Sequence, residues 1–498
     1  MNQVKDDQVD LVVKNGKVVT PGGILDVGVA IDKGKIVAIA TEQNLPKARK
    51  VVDAKGKYVM PGVVDPEAHP GHSEPLDLDA DTETKAAVAG GVTTWGILNP
   101  SPRMGQMPFK RLSEPEDVVS FLDVFPTFID TMEKSSMIDF FFTPELETDQ
   151  QALEIPQTLE KYGVTSYKFY LHTRRVGNDT YWGAQRTGHV LGFDDGTVYL
   201  AMEQTGKIEN GLMALHCDNW EISRIFEKRL VEAGRTDLGA WSEKTPNWLE
   251  AQTIRAYAYI GKMAKCPLYI MHITTPESIA ELVKARSEGI EIYGQTGPHY
   301  LSLNKDEGWK ISVSLRDKEA VEATWAAVAD GTINTVGSDH VTARGSRAEM
   351  SGNGNVWKMA SGFPSRVETS LPVMLSEGVN KGRITFQRLV ELFCENPARI
   401  YGIYPKKGTI SVGSDGDLAI VDLKKKVTVT DAMMHTRPGW SVYAGKELTG
   451  WPVMTILRGQ VVMEWKDGEA KSKITAPPAG KYLPRTPGKR YYPLGRRC

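Results

Sequence analysis

The chain of 498 residues lacks several features that would settle its class at once. It has no window of about 18 continuous apolar residues, so no segment reads as a bilayer-spanning helix. It lacks a charge excess: 60 Lys and Arg face 62 Asp and Glu, for a formal charge of -2. That leaves no electrostatic footprint for non-specific nucleic-acid binding and argues against an acidic disordered chain. Only four cysteines occur, Cys217, Cys266, Cys394 and Cys498, and they are scattered. Such spacing argues against a disulfide framework and against a cysteine-built zinc site. The first seven residues carry no basic stretch followed by an apolar run, so a secretory signal is not expected. With 41% hydrophobic residues there is ample material for a core, and a cytoplasmic globular protein is the expectation.

Both ends of the chain read as short strands. Val9 to Val13 and Lys17 to Thr20 flank Asn15-Gly16, a strong hairpin signal. A second hairpin is expected from Val27 to Ala30, through a turn near Lys33-Gly34-Lys35, to Ile36 to Ile39. Asp417 to Asp422, Met454 to Leu457 and Gln460 to Met463 repeat this style near the other end. Neither set can bury a sheet face alone. One small sheet domain assembled from residues 1–58 and 405–470 is therefore expected.

Between them, over residues 59–404, short apolar runs alternate with helical stretches. Strand candidates are Tyr58 to Val64, Thr93 to Leu98, Met137 to Phe142, Ser166 to Leu171, Leu212 to His216, Leu268 to His272, Glu291 to Thr296 and Asn334 to Ser338. Asp81 to Ala89, Trp248 to Met263 and Pro276 to Ser287 read as helices. Eight strands with helical crossovers predict an α/β fold, a (β/α)₈ TIM-type barrel. A doubly wound sheet is the main alternative, but no Gly-x-Gly-x-x-Gly follows the first strand. Residues 471–498, rich in Pro, Gly, Lys and Arg, read as an extended tail, either disordered or laid as an arm on a neighbouring subunit.

Barrel chemistry sits where strands end and loops begin. Strand one closes into Asp65-Pro66-Glu67-Ala68-His69, and alternation puts Asp65, Glu67 and His69 on one face. Lys168 and Tyr170 lie on strand four, and strands five, six and eight end in His216, His272 and Asp339-His340. A lone histidine at a strand end is usually structural. Four of the nine histidines (His69, His216, His272, His340) at such ends, with carboxylates and a lysine, make a metal site the stronger reading.

These residues resemble the amidohydrolase superfamily, in its hydantoinase and dihydropyrimidinase branch, near allantoinase and dihydroorotase. The resemblance covers nearly the whole chain. It runs through Met60-Pro61-Gly62-Val63-Val64-Asp65-Pro66, Ala89-Gly90-Gly91-Val92-Thr93-Thr94, Ser166-Tyr167-Lys168 and Leu215-His216-Cys217-Asp218-Asn219. It continues through Met271-His272-Ile273-Thr274, Thr296-Gly297-Pro298-His299-Tyr300-Leu301, Gly337-Ser338-Asp339-His340 and Glu395-Asn396-Pro397-Ala398-Arg399 with Gly402. The resemblance implies a barrel with a small β-sandwich and two divalent metal ions per chain, zinc foremost, with manganese or iron as alternatives. It implies that Glu67, His69 and Asp339 hold one ion, that His216 and His272 hold the other, and that carbamylated Lys168 bridges them. Asp339 would be the general base. The implied reaction opens a small cyclic amide, imide or ureide by hydroxide attack on its carbonyl. A homotetramer without nucleic-acid or membrane partners is implied as well.

Three departures from the family pattern stand out. Where the family has His-x-His after strand one, this chain has Glu67-x-His69. A tolerated ligand swap in a working hydrolase is the leading reading; a single-metal site running decarboxylation or other C–C cleavage is the alternative. A non-catalytic scaffold relative stands as a further class, although such relatives lose metal ligands wholesale. Second, the tyrosine expected five residues after the lysine is Thr173, which leaves His172 as a candidate oxyanion donor. Third, the segment from His172 to Gly192 is longer than usual and carries Arg174, Arg175, Tyr181, Trp182 and Arg186. Arg174 and Arg186, with Tyr170 and Ser361, are the substrate-binding candidates. Ser361-Gly362-Phe363-Pro364 resembles the family's substrate-amide loop, with Ser365-Arg366 adding a residue.

Overall fold

The computed structural model describes residues 8–98, 120–171, 193–343 and 345–490, with the backbone of two short strands at Arg175–Val176 and Asp179–Thr180. The N-terminal segment forms β1 (Val9–Thr20), β2 (Gly23–Asp32), β3 (Lys35–Ala40), β4 (Ala48–Asp53) and β5 (Tyr58–Pro61). Asn15-Gly16 is not a hairpin turn. Asn15 adopts a left-handed backbone (φ 55°) and makes a bulge inside one long β1, where the β1–β2 register shifts between Val13 and Gly16. Gly16 is needed there because a Cβ would stand 2.6 Å from Val59 Cγ2. The turn near Lys33-Gly34 forms as expected, with both residues at positive φ between β2 and β3.

The barrel strands are β6 (Val63–Ala68), β7 (Val92–Ile97), β8 (Asp139–Phe142), β9 (Ser166–Tyr170), β10 (Leu212–His216), β11 (Leu268–Ile270), β12 (Ile292–Thr296) and β13 (Thr335–Val336). They pair in parallel in two runs, β6-β7-β8 and β9-β10-β11-β12-β13. Bridges between Glu145 and Lys168 and between Ala68 and His340 join the runs into a closed ring. The Ala68–His340 bridge lies at the C-terminal ends of its strands and Glu145 just past that of β8, so closure itself gathers polar residues there. Helices cross over outside. Pro276–Ser287 starts where the Thr275 side chain accepts from Ser278 N, with Pro276 in the first turn, and Asn247–Ala264 stops at Lys265 in a left-handed conformation. No helix among the described residues is long and apolar enough to cross a membrane.

The chain then returns to the first sheet through β14 (Leu418–Thr428), β15 (Glu447–Leu457), β16 (Gln460–Glu464) and β17 (Lys473–Ile474). The nine strands run in the order β17-β16-β15-β14-β5-β1-β2-β3, with β4 beside β1, so both termini share the β-sandwich domain. A buried ion network ties the two units. Lys407 Nζ lies 2.5 Å from Asp139 on β8, 2.9 Å from Asp415 and 2.5 Å from Asp417.

Through Arg490 the tail packs on this chain's own barrel, at the N-terminal rim. Phe140 N donates to Lys481 O, Leu483 N to Phe140 O and Arg485 N to Gly163 O. Arg485 is buried against Ser166 Oγ (2.7 Å) and the Phe142 carbonyl, and Arg490 donates to the carbonyls of Asn210 and Gly211.

Candidate metal centre

The opposite rim holds the polar cluster. β6 ends by delivering Glu67 and His69, both buried. His69 Nε2 lies 3.0 Å from Asp339 Oδ1 and 3.9 Å from Glu67 Oε1. Each of the three offers one ligand atom, and these atoms lie within 4.8 Å of one another. Lys168 Nζ, from β9, is 3.5 Å from Glu67 Oε1 and 3.8 Å from the centre of the Tyr170 ring. The Tyr170 hydroxyl reaches His69 Nδ1 at 3.2 Å, and its ring lies 5.3 Å from His216. His216 and His272 face each other with ring centroids 4.2 Å apart. The structure thus brings together Glu67, His69, Lys168, Tyr170, His216, His272 and Asp339. Ser361 is exposed, just before the buried turn from Gly362 to Arg366. His172, Arg174 and Arg186 lie outside the described residues.

Backbone strain aims two of these side chains. His272 and Asp339 adopt positive φ, 39° and 48°, an unfavourable conformation for non-glycine residues that persists only where the surroundings enforce it. Asp65 helps enforce it for Asp339: its carboxylate accepts from Ser338 N at 2.9 Å and Ser338 Oγ at 2.5 Å. Burial pushes the Asp65 carboxyl up to about 7 against those bonds. Asp65 therefore supports the turn rather than joining the cluster. The kink at Asp339 also turns His340 away, so that its Nε2 sits 2.7 Å from Glu83 Oε2.

The protonation states of Asp339, Glu67 and His272 suit ligation, whereas His69, lowered by burial but raised on balance by Asp339 and Glu67, would give up a proton to an ion. Burial alone would raise the Asp339 carboxyl, but the Arg366 guanidinium and His69 hold it well below the usual carboxylate range. Glu67 is likewise lowered on balance, its burial and the nearby Asp339 being outweighed by Lys168, His69 and His272. Burial keeps His272 below its ordinary value, hence neutral with a lone pair to give. The Lys168 ammonium is disfavoured by burial, against the pull of Glu67, Asp339 and Glu145. Two ionised carboxylates, three imidazoles and a buried lysine are a donor set that fits divalent ions. A second convergence of carboxylates, Asp139, Asp415 and Asp417, differs: the Lys407 ammonium already stands among them.

Gln295, Glu145 and His72 escaped the sequence analysis, and Arg366 entered it only as part of an added residue. Gln295 on β12 donates to Glu67 Oε2. Arg366 donates to Asp339 Oδ2 at 2.7 Å. Glu145, just past β8, is a further carboxylate buried beside Lys168, and exposed His72 brings its ring within 6.2 Å of His69. The available signals were a glutamine inside an apolar strand, the extra residue at Ser365-Arg366, and a carboxylate shortly after a strand end.

Known proteins with this architecture agree. The amidohydrolase family profile matches residues 254–462. An L-hydantoinase of Paenarthrobacter aurescens is 30% identical over 474 residues, covering 91% of this chain and 94% of that protein. A D-hydantoinase of Geobacillus stearothermophilus is 29% identical over 488 residues, covering 95% and 96%. The solved structure of an L-hydantoinase (dihydropyrimidinase) from Arthrobacter aurescens superposes with a TM-score of 0.80 at 28% identity, covering 95% of this chain and 99% of that one. On this likeness over nearly its whole length, the chain belongs to the amidohydrolase family, in its hydantoinase-like branch.

Proposed function

We propose that the protein is a metal-dependent hydrolase that opens a cyclic amide, imide or ureide ring. The observation that carries this is the convergence of Glu67, His69 and Asp339, within 4.8 Å of one another, beside Lys168 and the facing His216 and His272. The hydantoinases it resembles act on rings of this class. Glu67, His69 and Asp339 would hold one ion and His216 and His272 the other, zinc being our assignment. Buried Lys168, as its neutral amine, would add carbon dioxide: the N–C bond forms as one C=O π bond opens, a proton leaves to solvent, and the carbamate spreads one negative charge over two oxygens that could serve both ions. When bound, the ions would bring water ionisation into the neutral range and polarise the scissile carbonyl.

The chain's own groups do the rest. Asp339, held by Arg366 at 2.7 Å, would accept the proton of the attacking water and return it to the leaving nitrogen. Burial raises the Tyr170 hydroxyl well above its ordinary value, so it remains a donor, suited with His172 to the oxygen that gains charge. Arg174, Arg186 and Ser361 are assigned to substrate binding. Retention of the ligand set disfavours a scaffold role, and the hydantoinase relatives disfavour decarboxylation. We assign the protein to the cytoplasm as a homotetramer; Trp248, Tyr259 and Met263, exposed along the helix Asn247–Ala264, offer apolar surface for assembly. The test is a panel of hydantoins, dihydropyrimidines and cyclic imides given to metal-loaded protein. Chelator-sensitive ring opening of at least one class is expected, and none with any class would refute the assignment.

A further inference from the structure

Each carboxylate of the cluster has one oxygen held by a glutamine or arginine donor and the other turned to His69, that of Glu67 also lying 3.5 Å from Lys168 Nζ. On Glu67, Oε2 accepts from Gln295 while Oε1 lies 3.9 Å from His69 Nε2. On Asp339, Oδ2 accepts from Arg366 at 2.7 Å while Oδ1 lies 3.0 Å from the same nitrogen. The Gln295 side is built in depth. An ionised carboxylate only accepts, so the amide must turn its NH₂ to Glu67 and its oxygen away. That oxygen accepts from the Tyr269 hydroxyl at 2.6 Å, and the hydroxyl lies 2.6 Å from Thr335 Oγ1. The row Thr335, Tyr269, Gln295, Glu67 spans four barrel strands, and every member is fully buried. Gly337 makes the room, since a Cβ there would stand 2.6 Å from Gln295 Nε2. A fully satisfied buried network of this kind holds its last member in one geometry.

The Arg366 side is held as firmly. Ser365 takes a left-handed backbone (φ 65°) and donates Oγ to Trp440 O at 2.8 Å, which sends Arg366 inward. The guanidinium is buried, 5.4 Å from the centre of the Phe363 ring. A carboxylate with both oxygens open can chelate an ion and raise its coordination number. One with a capped oxygen donates a single atom, as an imidazole does.

We propose that Gln295 and Arg366 are positioning residues that each cap one carboxylate oxygen, so that Glu67 and Asp339 each present a single ligand atom to a divalent ion. The proposal rests on the metal site inferred above. It explains how a glutamate stands where the family pattern has histidine: with Oε2 capped, Glu67 matches the one-atom donation of the residue it replaces.

The experiment titrates Co²⁺ into metal-free full-length protein and follows affinity and visible absorption per bound ion. Low-coordinate Co²⁺ absorbs far more strongly than six-coordinate Co²⁺, so the spectrum reads ligation directly. Gln295→Met is expected to bind about 10–100-fold more weakly, with lower absorption per ion. Arg366→Lys should move in the same direction, and Tyr269→Phe, which touches neither carboxylate, should move by less. Wild-type affinity and spectrum in Gln295→Met and Arg366→Lys overturn the proposal while leaving the metal site standing. Wild-type protein that takes up no Co²⁺ overturns both. Should circular dichroism show Gln295→Met or Arg366→Lys unfolded, Tyr269→Phe decides, and an unchanged affinity and spectrum there overturns the proposal.

Discussion

Asp339→Asn separates chemistry from folding more cleanly than any other single change. Asp339 accepts from Arg366 at 2.7 Å and faces His69 at 3.0 Å, and its side chain is 20% exposed. Asparagine keeps one oxygen, which can face Arg366 or His69 but not both, and it loses the charge. Weakening one charge-assisted hydrogen bond in this setting costs about 1–3 kcal/mol. Unfolding entropy of about 2.1 cal/mol/K per residue gives a chain of this size about 1 kcal/mol per degree, so Tm should fall by about 1–3 °C if it unfolds as one unit. The catalytic loss is far larger. A positioned general base contributes about 10²–10⁴-fold, or about 3–5 kcal/mol of barrier, and a disturbed ligand adds to it. Calorimetry beside ring-opening kinetics checks both. Activity within tenfold of wild type would remove Asp339 as the base. Collapse of the fold would refute the packing argument.

Lys168→Ala should lose activity that short carboxylic acids partly restore by supplying the missing oxygens; full activity in the variant would end the bridging role. Lys407→Met leaves Asp139, Asp415 and Asp417 with Arg458 and Lys35 as their cationic partners among the described residues, and breaking such a buried pair costs about 3–5 kcal/mol at pH 7. Burial would raise Asp415, but Lys407 holds it below its ordinary value, so its contribution in the wild type is present above pH 3.8 and lost as the pH falls further. The variant's unpaired carboxylates regain stability by protonating, so the Tm gap must narrow from pH 7 towards pH 5; a constant gap counts against the network. Deletion of residues 476–498 strips buried Leu483 and Arg485 from the barrel rim and should lower Tm by about 5 °C, because each large buried side chain contributes about 1.5–3 kcal/mol. Since the candidate metal centre lies at the other rim, kcat should be preserved; a lost kcat in a folded deletion would show coupling across the barrel.

The barrel and most of the candidate site were legible because they depend on local pattern. Apolar runs of five to seven residues marked the strands, although the first run split, Tyr58–Pro61 joining the terminal sheet and Val63–Ala68 the barrel. The polar residues in or just past the strands were Glu67, His69, Lys168, His216, His272 and Asp339. What failed depended on backbone conformation or distant contact. Asn15-Gly16 has the composition of a turn, yet β5 packs against Gly16 and the pair becomes a bulge. His340 was counted with the strand-end histidines by its position, but the left-handed Asp339 turns it away to Glu83. Gln295 meets Glu67 across 228 residues of sequence, and no local pattern encodes that meeting. Arg366 was visible as an extra residue, but its role emerges only from the Ser365 kink that turns it inward.

The most direct test of the central claim is elemental analysis of purified protein together with intact mass. The account predicts two divalent ions per chain and an added carbon dioxide on Lys168. One ion or none, with Lys168 unmodified, would contradict it.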